Sequence, residues 1–108
     1  MILLSYAVIR FGSSELSKVI LKGFIVVPDS DLEVVNNELV IHKRLTLEET
    51  GCLVFTVTLD AENTHKFHVY EEFVNQQAFD YHQARVKSSK WGEVTKNIER
   101  NYEISNGE

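Results

Sequence analysis

Four side chains of this 108-residue chain place charge or a titratable ring where their neighbours call for an apolar group. In the run Lys66-Phe67-His68-Val69-Tyr70-Glu71-Glu72-Phe73 the residues alternate as in a strand, so Phe67, Val69, Glu71 and Phe73 share one face. Glu71 is then a carboxylate in the middle of an apolar face. His42 and Glu38, four residues apart, fall on or beside the helical stripe Leu32, Val35, Leu39 and Thr46. His82 falls on a second stripe with Ala78, Phe79 and Val86. Buried charges must pair or shift their protonation, and in a pocket such shifts become useful. His42 or His82 is then a candidate base near neutral pH, with Glu71 to orient it or to hold a substrate hydroxyl. Trp91 and Phe73 are candidate aromatic walls for a flat substrate, and Glu38 a candidate polar contact.

A blander reading stands beside this one. A single histidine on an apolar stripe is more often a hydrogen-bonded core residue than a catalyst; the case here rests on two histidines and a carboxylate converging. Two histidines and a carboxylate can also hold iron or zinc, but no ligand spacing supports that, so no metal is expected. His65 lies in a polar loop and reads as solvated.

The elements that must position these groups follow from period and punctuation. Lys18 to Val27 is a strand with apolar residues on both faces, stopped by Pro28. Asp29-Ser30-Asp31 offers side-chain caps for a helix from about Leu32 to Leu47. Glu49 to Phe73 reads as two β-rich runs around the polar link Asp60–His65, a hairpin. On its first strand Leu53, Phe55, Val57 and Leu59 should share one side. Asn75 caps a helix from about Gln76 to Arg85, Ser88-Ser89 interrupts, and a short helix from about Lys90 to Asn97 carries Trp91, Val94 and Ile98. Arg100 to Ile104 is the last strand, with 105–108 a frayed tail. The order β-α-β-β-α-β is α+β and ferredoxin-like, an antiparallel sheet with helices on one face. The other face carries Tyr70, His68 and only mildly polar partners. It is expected to be covered by a second copy, with His68 and Tyr70 at the dimer interface.

Composition sets outer bounds. A hydrophobic fraction of 44% suffices for one packed core, and a net charge of −5 without a basic tract argues against nucleic acid. No apolar run approaches a membrane span, and none looks like a secretory signal. The single cysteine, Cys52, has no partner for an internal disulfide and reads as a core thiol, which suits a reducing cytoplasm. Residues 1–17 form an extension whose apolar pattern suggests an added strand; the rival reading is that the natural start lies near Leu16.

The run from Gly51-Cys52 through the hairpin to Tyr70-Glu71-Glu72-Phe73, followed by Ala78-Phe79-Asp80-Tyr81-His82, resembles the antibiotic biosynthesis monooxygenase domain over roughly Lys18 to Ile104. The resemblance implies a dimeric α+β barrel. It also implies oxidation of a small quinol or polyphenol by dioxygen without a cofactor, with His42, Glu71 and His82 at polar pocket positions. The family commonly continues after that histidine to a Pro-His-Phe segment; here the positions read Val86-Lys87-Ser88. Haem-degrading relatives carry Trp where this chain has Phe73, and Asn where it has Lys22-Gly23, so haem breakdown is not expected. The leading expectation is a cofactor-independent monooxygenase acting on a small aromatic substrate. The alternatives are an isomerase or other proton-transfer enzyme on a small carbonyl compound, and a non-catalytic binding module.

Overall fold

A computed structural model describes residues 17–107; the expectations for the first sixteen residues lie outside them. Strand β1 (Lys18–Val26) leads through a 3-10 turn (Asp29–Asp31) into α1 (Leu32–Leu47), then β2 (Cys52–Leu59), β3 (Lys66–Phe73), α2 (Gln76–Lys87), α3 (Lys90–Thr95) and β4 (Glu99–Gly107). The strands form one antiparallel sheet in the order β2-β3-β1-β4. This is the ferredoxin-like arrangement, with α3 as a short addition before the last strand. Among the described residues no helix is long and apolar enough to cross a membrane.

Local chemistry explains most boundaries. Pro28 ends β1 because it has no N–H for the ladder. The aspartates after it do not cap α1 through their side chains as the sequence suggests: Asp31 keeps helical backbone angles, and the 3-10 turn feeds directly into the helix. Asp29 instead meets His65 Nε2 at 3.1 Å, so His65 is paired across the loops. In the hairpin link, Asp60 Oδ2 accepts from the backbone N–H groups of Glu62 and Asn63, an aspartate-nucleated turn. Asn75 Oδ1 accepts from Ala78 N at 2.8 Å and starts α2. Ser89 Oγ caps α3 through Gly92 N.

The helices cover one face of the sheet. Val19, Leu21, Val69, Phe73 and Phe79 make one buried cluster, and Ile25, Val27, Val35, Phe67 and Ile98 a second. Truncating a buried Phe of this kind to Ala typically costs about 3–5 kcal/mol. Two expectations are corrected. A register shift between Cys52 and Val54 puts Cys52 opposite Phe73, which turns Leu53 outward to 49% exposure; Leu59, at the far end, is also exposed. Ser105, Asn106 and Gly107 are not a frayed tail but pair with Ile20, Val19 and Lys18 in β4.

On the outer face, His68 Nε2 lies 2.6 Å from Asp60 Oδ1, and Tyr70 donates to Glu72, which also pairs with Lys18 Nζ at 3.2 Å. Here β1 and β4 approach unusually closely: a Cβ on Gly23 would lie 1.9 Å from the Asn101 carbonyl oxygen. Gly23→Ala must therefore push β4 away from β1. The expected result is a stability loss on the order of 2–4 kcal/mol and faster hydrogen exchange in β4. Unchanged melting and unchanged exchange would disprove this close packing.

Candidate functional site

Between the helices and the sheet lies an open cavity of about 740 Å³, with Leu21 and Ile25 of β1, Glu71 of β3, His42 of α1, His82 of α2 and Trp91 of α3 among its walls. The alternation of β3 and the helical period of α1 and α2 bring the three polar groups to the same layer. His42, Glu71 and His82 are all nearly inaccessible to solvent.

Around His82 the groups form a chain. Its Nδ1 lies 2.9 Å from Glu49 Oε2, and that same oxygen takes a hydrogen bond from Arg85 Nε at 2.6 Å. A carboxylate only accepts, so Nδ1 carries the proton and Nε2 is left as the basic nitrogen. Nε2 lies 3.6 Å from Glu71 Oε1. Arg85 also donates to Thr46 Oγ1 at 2.9 Å, closing the arrangement back onto α1.

Burial sets the protonation of the floor. It pushes the Glu71 carboxyl up to about 7, helped by the negative charge of Glu49. It holds His42 down to about 3, with His82 and Arg85 adding to the effect, so His42 is a neutral ring at ordinary pH. His82 is lowered by burial and held back up by its bond to Glu49. Three buried atoms of these residues, Glu49 Oε1, Glu71 Oε1 and His42 Nδ1, have no hydrogen-bond partner. Tyr102 also lines the cavity, its phenol pushed up to about 12 by burial first and by Glu71 second.

The aromatic residues divide differently from expectation. Trp91 stacks on His42 with ring centres 4.7 Å apart and planes within 3°, and does form a wall. Phe73 does not: it is fully buried behind His82, 4.7 Å from its ring, and packs the core side of the imidazole. Glu38 is half-buried on α1 and does not reach the cavity. His68 and Tyr70 lie on the opposite face of the sheet. Cys52 packs against the first core cluster with its thiol pushed up to about 11 by burial, as suits an inert thiol. Among the described residues no group of three or more His, Cys, Asp or Glu side chains is arranged to hold a metal ion.

Sequence reasoning missed Glu49, Arg85 and Tyr102. A signal existed for Arg85, which follows His82 by three residues and so shares its side of α2. Glu49 lies beyond the end of α1, where no periodicity reports direction.

The buried Glu71 makes stability depend on pH. Its folded value of about 7 lies above the ordinary 4.5, so across that interval the fold keeps a proton that the unfolded chain has lost. Stability therefore falls as pH rises from about 4.5 to about 7. His42 acts oppositely: from about 3 to 6.5 the unfolded chain holds a proton that the fold has lost, so stability rises with pH there. Glu71→Gln removes the first effect and leaves the second. It should melt close to wild type near pH 5 and be more stable above pH 7, by on the order of 2 kcal/mol. Denaturant titrations at the two pH values check this; an equal difference at both would contradict a desolvated Glu71.

Several solved structures share this fold. A candidate antibiotic biosynthesis monooxygenase from Nitrosomonas europaea aligns with a TM-score of 0.70 at 16% identity, covering 82% of this chain and 97% of its own. A conserved protein from Methanosarcina mazei Go1 aligns with a TM-score of 0.69 at 19% identity, covering 92% and 99%. A conserved protein of unknown function from Bacteroides thetaiotaomicron aligns with a TM-score of 0.69 at 17% identity, covering 84% and 98%. At these identities the likeness speaks to the fold alone. No curated protein matches significantly. The family model for antibiotic biosynthesis monooxygenase matches residues 26–93, more than half of the sequence, and the chain belongs to that family.

Proposed function

We infer that the cavity is the active site of a cofactor-independent monooxygenase acting on a small quinol or polyphenol. The observation that carries the reading is the Glu49–His82–Glu71 chain: an imidazole held through Nδ1, with its free Nε2 beside a buried carboxyl at the cavity floor. His82 Nε2 takes the proton of a phenolic hydroxyl. Glu49 stabilises the imidazolium that results, and Arg85 fixes Glu49. The electron-rich ring carbon of the anion bonds to dioxygen. The resulting hydroperoxide then loses water, so one oxygen atom stays on the substrate as a carbonyl and the other leaves in the water. His42, neutral and clamped by Trp91, positions the substrate and is not the base. The protein supplies orientation and a dry, polar floor.

Oxygen uptake with a reduced naphthoquinol, without added metal or flavin and after subtraction of autoxidation, tests this. His82→Ala should lose on the order of 10²–10⁴ in kcat, while His42→Phe should raise KM and cost kcat less than about tenfold. Glu71→Gln should slow turnover and move its pH optimum. Variants that fold and all turn over like wild type would overturn the assignment. Wild-type uptake no faster than background, with α-proton exchange on a carbonyl substrate, would make proton transfer the reaction.

The same reading includes a homodimer in the cytoplasm. Ile20, Phe24 and Tyr70 on the outer sheet face are only half-buried in the single chain. A second sheet would cover such a surface. Light scattering at micromolar concentration should give twice the chain mass, and a persistent monomer would contradict it.

A further inference from the structure

The cavity changes character from floor to mouth. Its floor holds the unpartnered Glu71 Oε1 and His42 Nδ1. Its middle is apolar and aromatic, with Leu21, Ile25, Val86 and Trp91. Its remaining lining includes three exposed cations from three parts of the chain: Lys87 at the end of α2, Lys96 just after α3, and Arg100 in β4. Arg100 is fixed there by donating to the Thr95 carbonyl. The one carboxylate among these exposed groups, Glu93, already has Lys90 Nζ at 3.9 Å. A chain of net charge −5 thus gathers a surplus of positive charge at this one opening.

A solvated lysine by itself carries no information. Three exposed cations lining one low-dielectric cleft do, because such a cleft focuses its field on whatever enters. These three cations are exposed, whereas the acid–base groups are buried, so the charge lies on the outer part of the lining. A ligand that satisfies both ends must be polar at both and flat between. We propose that the cavity takes a flat, fused-ring phenol bearing a carboxylate or other acidic group at the end remote from its reacting hydroxyl. The hydroxyl goes to His82 and Glu71, the rings lie along Trp91, and the acidic group meets Lys87, Lys96 and Arg100. This rests on the cavity being the substrate site of the reaction inferred above, but it concerns recognition and is measured without turnover.

The test is fluorescence titration with hydroxynaphthoic acid and with its methyl ester, which keeps the rings and the hydroxyl and removes the charge. At low salt the acid should bind about tenfold tighter than the ester, and the advantage should shrink as ionic strength rises. Lys87→Gln combined with Lys96→Gln alters two exposed side chains. It should remove most of that advantage while changing the ester's Kd less than about twofold. Arg100→Gln should act in the same direction. Trp91→Ala should weaken both ligands alike. An ester that binds as tightly as the acid, a preference that survives the lysine substitutions, or no binding of either probe overturns the proposal. Oxygen uptake on neutral quinols with no preference for the acid would remove this proposal and leave the oxygenase reading standing. A clear acid preference without oxygen uptake would do the reverse.

Discussion

One carboxylate oxygen, Oε2 of Glu49, joins the parts of this molecule that matter to its chemistry. It takes the Nδ1 proton of His82 and the Nε proton of Arg85, both on α2, from a position just past the end of α1. A buried carboxylate is costly unless it is paired and hydrogen-bonded; Oε2 is both, while Oε1 has no hydrogen-bond partner. The pairing does three things together. It selects the His82 tautomer, it aims Nε2 at Glu71, and it ties the two long helices to one another through Arg85 and Thr46. Removing Glu49 would leave a half-buried guanidinium and a buried imidazole without their common acceptor. The architecture and the acid–base chemistry therefore share a single point of failure.

The core and the site compete for the same layer. Glu71 occupies a strand position whose neighbours Val69 and Phe73 are core residues, and His82 lies against Phe73. An apolar residue at position 71 would pack better. The fold instead keeps a carboxyl whose ionisation is opposed by burial, an arrangement more common at functional sites than in ordinary cores. The phenyl ring behind His82 and the indole stacked on His42 restrict both imidazoles by packing, so polar contacts need only fix the remaining rotation.

Much of this was legible in the sequence, for reasons that also mark where legibility ends. The alternation of 66–73 placed Glu71 on the buried face because strand period is two and β3 is regular. The helical period of 32–47 placed His42 and Thr46 inward, and Asn75 marked the start of α2. Period gives a face but not a depth: Phe73 and Trp91 both point to the helix layer, yet one is sealed in the core and the other borders the cavity. A bulge breaks the period itself, which is how Leu53 came to face solvent while Cys52 took its place. Glu49 was illegible because a turn residue has no period at all. Its direction is decided by where Arg85 and His82 wait for it, which is tertiary information.

The wall formed by Trp91 stands on a helix of six residues, and a segment that short has little helical stability of its own. It is held from outside: by the Ser89 cap, by the buried Ile98 that follows, by the stack on His42, and by a close approach in which a Cβ on Gly92 would lie 2.1 Å from the Val86 carbonyl oxygen. The place of the indole therefore depends on contacts made from outside its own helix, the stacked pair with His42 among them. Substitutions within 88–98 that loosen these holds therefore act on one wall of the cavity, while the Glu49–His82 pairing stands on other elements.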